Sequence, residues 1–329
     1  MVDALQRAYA RKMKTFQFLL DRGVEFAAHR STNLWTLPAL GTFHTGRMAQ
    51  DHGVITWREP HAIPQIAAEK TLAECLKEIG FGTTAFATTG WGRGIFGFGR
   101  GFDNYVEGYW TADKCPIISA QLGILNGPQF VFIHMLDIHD WWEGSNYKMK
   151  DWDEMIAKER IGDEQIQHAR ECYAQAVKNL DDALLPFVVD NFSPDANTIV
   201  VLMTDHGEAL FEYGPNIMGH GERLMKTVAE LTDVPLVMAG GWTLDEEYKR
   251  KLMLYRTWDF DLMPTLVKIG AEMMDRPDYL LPIGIEGEDI RYGVFRGTMG
   301  HIDRPESIPV DQIELEKTRQ QLKALGYVG

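Results

Sequence analysis

The sequence predicts an α/β fold, a mostly parallel sheet sandwiched by helices with a small C-terminal subdomain appended. Three observations carry this. Short apolar or β-branched runs at 83–88, 130–136, 198–203 and 236–239 alternate with segments of helical spacing, the arrangement that covers both faces of a parallel sheet. Several helical segments end on a glycine, at Gly23, Gly80 and Gly326, as helix stops do. At 329 residues, 45% hydrophobic and 24% charged, the chain has material for one large core and an appendage. The expected division is a catalytic-type domain over 1–254 and a smaller subdomain over 255–329.

Residues 1–5 read as the last residues of a strand, with almost nothing before them, so the expectation is a clipped strand or a start further upstream. A short amphipathic helix is expected over 14–22 and a strand over 24–27. The stretch 37–45 reads as helix, with Pro38 tolerated in the first turn. Another helix is expected over 71–79, before the strand at 83–88. Residues 90–101 hold six glycines among twelve, a loop that must pass close to something or stay mobile. Strand 130–136 is apolar apart from His134, which reads as a core histidine. From Asp163 onward, Ile166, Ala169, Tyr173, Val177, Leu180 and Leu184 recur at spacings of three and four, one face of a long helix. Pro186 should end or kink it. A helix over 260–269, a short antiparallel strand at 291–295 and a final helix over 310–325 complete the reading.

Composition excludes some functions. A formal charge of −14 argues against a nucleic-acid surface, because phosphate backbones are held by basic patches. No apolar run reaches the roughly 18 residues of a membrane helix, and no signal-peptide pattern opens the chain. Cys75, Cys115 and Cys172 form neither a disulfide framework nor a zinc knuckle and read as small core residues. The expectation is a soluble cytoplasmic protein with no nucleic-acid or membrane partner and an undetermined oligomeric state.

The richest segment runs from Thr198 to Glu208, Thr-Ile-Val-Val-Leu-Met-Thr-Asp-His-Gly-Glu. Asp205 and His206 follow a strand at its carboxyl end, the edge where open α/β sheets bind ligands. One hard oxygen beside one borderline nitrogen suits manganese, zinc or iron better than calcium. Gly207 would let the backbone turn sharply and approach a ligand closely.

Several segments together resemble the sulfatase family of the alkaline phosphatase superfamily. Thr204-Asp205-His206-Gly207-Glu208, Gly219-His220-Gly221 and Val234-Pro235-Leu236 are similar to its C-terminal metal motif and the strand after it. Leu34-Trp35-Thr36-Leu37-Pro38, continuing through Phe43-His44-Thr45-Gly46 to Asp51-His52-Gly53-Val54, is similar to its nucleophile segment. Further matches are Phe132 through His139, Gly101-Phe102-Asp103-Asn104-Tyr105, the ending Leu322 through Tyr327, and Val2 through Arg7 as the end of the first strand. The resemblance implies that Asp3, Asp205 and His206 hold one divalent metal ion, manganese or zinc ahead of calcium or magnesium, with Thr36 as nucleophile. It also implies that His139 contacts the substrate and protonates the leaving group. His220 would complete the site as ligand or as hydrogen-bond donor, and Asp137 reads as structural. Asp3, Thr36, His139 and Asp205 are expected at one sheet edge.

The departures narrow the chemistry. Formylglycine-dependent sulfatases need Cys or Ser where Thr36 stands, and Ala39 and Leu40 follow Pro38 in place of their maturation signal. Ala4 replaces a second aspartate, which disfavours a calcium site built from carboxylates. The expectation is therefore a metal-dependent hydrolase of a small anionic sulfate or phosphate ester, the threonine favouring phosphoryl chemistry. A binding or regulatory protein on a decayed scaffold and a phosphotransferase are the alternatives. Residues 90–101, and residues 141–151 with Trp141, Trp142 and nearby Trp152, would shape specificity, or the tryptophans simply cover the core edge.

Overall fold

A computed structural model describes residues 1–56, 62–68, 70–194, 197–221, 228–240 and 246–282, together with 287, 308, 309 and 320. The chain forms two units, each discontinuous in sequence. The first comprises Met1–Trp35, Trp110–Gly123 and Met135–Arg256; the second comprises Thr36–Tyr109, Ile124–His134 and Thr257–Gly329.

In the first unit, strand Leu236–Ala239 is buried at every residue, as a central apolar strand must be. It pairs antiparallel with Gly23–Glu25 on one side and Val200–Met203 on the other. Beyond Val200–Met203 lies the start of the chain. Val2 donates its N–H to the Met203 carbonyl at 2.8 Å and bridges Met135 in parallel. The strand-like reading of residues 1–5 holds only at Val2 and its immediate neighbours, because the chain turns at Asp3 and Ala4.

Helix Asp163–Asn191 buries Ala169, Tyr173, Val177, Leu180 and Leu184, the stripe that the spacing predicts. It does not stop at Pro186. Proline loses its bond to the carbonyl four residues back and its ring crowds that carbonyl, but the buried Phe187 and Val188 hold the last turn by packing. Asp181 on the same helix caps helix Lys14–Leu20 from outside, accepting the N–H groups of Lys14 at 2.6 Å and Thr15 at 2.9 Å. That helix has no cap of its own, because Met13 precedes it.

The second unit holds the parallel sheet. Gly82–Thr88 lies between Asn104–Gly108 and Gln129–Ile133, parallel to both. Helix Thr36–Thr45 is buried at all ten residues, which accounts for its lack of a polar face. Helix Leu72–Ile79 opens with a capping box between Thr71 and Glu74 and packs against Leu262–Met273. The glycine-rich stretch is packed: Trp91, Phe96 and Phe98 are buried, and the Phe96 carbonyl accepts the Ile66 N–H at 3.0 Å.

Helix Leu262–Met273, expected in an appended layer, belongs to the second unit. The helix over 310–325 and the strand at 291–295 lie outside the described residues. Among the described residues no helix is long and apolar enough to cross a membrane.

Candidate metal centre

Two chain segments of the first unit deliver carboxylates to one place. Asp3 follows Val2 and donates its N–H to the Met135 carbonyl at 2.9 Å. Asp205 follows strand Val200–Met203, and its Oδ1 accepts the N–H groups of His206 at 2.9 Å and Ala4 at 3.3 Å. The turn between Asp3 and Gln6 passes through Ala4 at φ 57°, the left-handed region that costs a side chain strain. Tyr173 holds this turn from the long helix, donating its hydroxyl to the Ala4 carbonyl at 2.7 Å and accepting the Gln6 N–H at 2.8 Å.

Gly207 serves the protein's own packing. A Cβ there would lie 1.7 Å from the Glu230 carbonyl oxygen, and the Gly207 N–H donates to the Leu231 carbonyl at 2.9 Å. The close approach expected toward a ligand is therefore made to backbone. A short antiparallel ribbon follows, with Ala209 opposite Gly219 and Leu210 opposite Met218. Its register brings Glu208 opposite His220. Positive φ at Gly219 and Gly221 turns the chain on either side of that histidine.

The imidazoles are oriented by their Nδ1 atoms. His206 Nδ1 lies 2.8 Å from the Gly207 carbonyl. A carbonyl only accepts, so Nδ1 bears the proton and Nε2 keeps a lone pair. Burial draws the His206 pKa down to about 4, against the pull of Asp205, so the ring is neutral near pH 7. Its Nε2 stands 3.4 Å from Asp205 Oδ2 and 3.9 Å from Asp3 Oδ1. A lone pair facing two carboxylates is a mutual repulsion that a cation relieves. Ligand atoms of Asp3, His206 and His220 lie within 4.8 Å of one another. Two donors at about 2.0–2.2 Å from one ion come that close, so the donor set fits a borderline divalent metal.

His220 Nδ1 is 2.5 Å from Glu208 Oε2, and its ring lies 4.4 Å from that of His206. Burial alone would lower the His220 pKa; the charge of Glu208 and its hydrogen bond outweigh that and raise it. His139, 5.4 Å from His220 between ring centres, has its Nδ1 2.7 Å from Asp140 Oδ1 and the edge of Trp142 beside it.

Asp3, His139, Asp205, His206 and His220 thus belong to the first unit. Thr36 belongs to the second, as the first residue of a buried helix. Asp137 accepts the Ala112 N–H at 2.8 Å, the structural role expected of it, although burial raises its pKa to about 6. His134 is fully buried and donates its backbone N–H to Phe86. Trp141 and Trp152 are buried, so they build core and form no open wall. Sequence reasoning assigned no role to Glu208, Asp140 or Tyr173. The first two had a signal, since each carboxylate sits one or two residues from a candidate histidine; Tyr173 had none beyond its place on the helix stripe.

The family model described as Sulfatase matches residues 4–270. No curated protein matches the chain. Among solved structures, a phosphonate monoester hydrolase from Silicibacter pomeroyi is 14% identical at a TM-score of 0.59, covering 88% of this chain and 74% of that one. A putative sulfatase from Bacteroides thetaiotaomicron is 17% identical at 0.63, covering 88% and 72%. The C-terminal periplasmic domain of EcEptC from Escherichia coli, in complex with Zn, is 14% identical at 0.58, covering 82% and 80%. At such identities the likeness is one of fold.

Proposed function

Since the chain belongs to the sulfatase family, whose fold serves hydrolases and transferases alike, we propose that it is a metal-dependent hydrolase of a sulfate or phosphate ester. The supporting observation is the neutral His206, whose Nε2 lone pair faces Asp3 and Asp205. Asp3, Asp205 and His206 would hold the ion. When bound, such an ion makes an alcohol nucleophile competent near neutral pH and withdraws charge from the ester oxygens.

Thr36 is the proposed nucleophile. It opens a ten-residue helix, and a helix N-terminus favours an anionic oxygen at that end. Its hydroxyl, losing its proton to solvent, would attack the phosphorus or sulfur and break the bond to the leaving oxygen, which would take a proton from His139 Nε2; water would then cleave the threonine ester and restore the hydroxyl. Asp140 Oδ1 accepts the Nδ1–H of His139, so the proton given to the leaving oxygen would be a second one, carried on Nε2 of the imidazolium that the Asp140 carboxylate stabilises. Threonine cannot become formylglycine, so the attack would come from an alcohol and not from a hydrated aldehyde. The hydrogen-bonded order around Asp205, His206 and His220 favours this reading over a decayed scaffold.

The test is a screen of purified protein with added manganese or zinc against aryl sulfate, phosphate monoester, phosphate diester and phosphonate ester substrates. Metal-dependent turnover of one class is the expected result. No turnover of any class, in a protein that binds no stoichiometric metal, would reject the reading. Faster turnover on adding an acceptor alcohol would make the protein a transferase.

A further inference from the structure

We propose that Glu208 is a positioning residue for His220, holding its Nδ1–H so that Nε2 is offered as a further donor to a divalent cation beside Asp3 and His206. The proposal rests on the metal reading above and adds a donor and the group that aims it. Glu208 is almost fully buried and spans two donors. Oε2 lies 2.5 Å from His220 Nδ1, and Oε1 accepts the indole N–H of Trp141 at 2.9 Å. The Glu208 carbonyl accepts the side-chain amide of Gln6 at 2.5 Å, so the residue is tethered at both ends. With Nδ1 taken, Nε2 is the nitrogen left for the ligand group that His220 forms with Asp3 and His206. A carboxylate behind a ligating histidine fixes its tautomer and orientation, and removing it typically weakens metal binding about 10- to 100-fold.

The chemistry of Glu208 makes the proposal sharp. A carboxylate offers an acceptor oxygen to each of two donors, whereas glutamine of the same shape offers one oxygen and an amine. In Glu208→Gln, Trp141 and His220 must compete for that oxygen. If the amine faces His220, the ring turns to its other tautomer and Nε2 carries a hydrogen instead of a lone pair. Trp141→Phe removes the competing donor and should return the oxygen to His220.

The experiment uses the full chain stripped of metal, with nitrogen-15 histidine spectra and zinc titration, the His220 signal being identified by its loss in His220→Gln. In the wild type, Nδ1 should carry the proton; a proton on Nε2 alone overturns the proposal without any variant. Glu208→Gln should shift that signal and weaken zinc binding by about 10- to 100-fold. Glu208→Gln combined with Trp141→Phe should recover most of that loss, which a merely structural glutamate would not allow. Wild-type affinity in Glu208→Gln, or a double variant as weak as the single one, overturns it. A wild type that binds no zinc, while His220 still follows Glu208 and Trp141 in its spectrum, would reject the metal reading and support the positioning.

Discussion

The hydroxyl of Tyr173 closes the turn at Ala4, donating to the Ala4 carbonyl at 2.7 Å, although the two residues lie 169 apart in sequence. The same oxygen accepts the Gln6 N–H, so one side chain satisfies both polar groups of a buried turn. Asp3 sits at the head of that turn. Tyr173→Phe should therefore leave an N–H and a carbonyl unmet, at a cost of roughly 1–3 kcal/mol for each buried group. A thermal unfolding midpoint within about a degree of the wild type would show that the turn holds itself. Metal affinity should fall alongside stability, because the turn carries Asp3.

Elemental analysis of the purified protein should find about one transition-metal ion per chain, held by the donors around His206. Asp205→Ala should remove it, since the variant loses one carboxylate and the acceptor that orients the His206 and Ala4 backbone. Full ester-hydrolase activity after exhaustive chelation would contradict the metal role.

The nucleophile assignment predicts that Thr36→Ala abolishes turnover while metal content persists, because Asp3, Asp205 and His206 remain. Thr36→Ser should keep part of the activity, as it retains the hydroxyl. His139→Ala should slow esters with poor leaving groups far more than activated aryl esters, which depart unprotonated. Unchanged turnover in Thr36→Ala would mean that water attacks directly.

A pH prediction comes from a histidine outside the site. His44 is fully buried among Phe43, Phe98, Phe102 and Phe132, and neither ring nitrogen has a hydrogen-bond partner among the described residues. Burial, with the nearby His134 adding to it, pushes its pKa down to about 3 from 6.5. The unfolded chain therefore binds a proton that the folded chain refuses between about pH 6.5 and pH 3. Stability falls as pH drops through that window, by about 1.4 kcal/mol per pH unit for one such ring. His44→Phe should flatten the acid limb of the stability profile by about that slope. An identical slope in urea unfolding from pH 6 to pH 4 would refute it.

Much of the candidate site was legible in the chain. An apolar run followed by Asp205 and His206 announces a strand end with candidate ligands, because strand burial and donor type are properties of neighbouring residues. The stripe from Ala169 to Leu184 was readable for the same local reason. Of the two outcomes that Pro186 allowed, the helix does not end there, since the burial of Phe187 and Val188 offsets a local cost of about 3 kcal/mol. Trp141 could have been surface or core, and its indole N–H meets Glu208 only because residues 67 apart come together.

The sequence by itself determined the family, the α/β class and the residue types able to hold a metal, since motif order and apolar periodicity are written along the chain. Only the tertiary structure decided that Gly207 makes room for the Glu230 carbonyl, that Tyr173 supports the Asp3 turn, and that Glu208 stands behind His220. Each is a contact between distant segments. Burial and register, with Ala209 opposite Gly219, select it from many that the same residues could make.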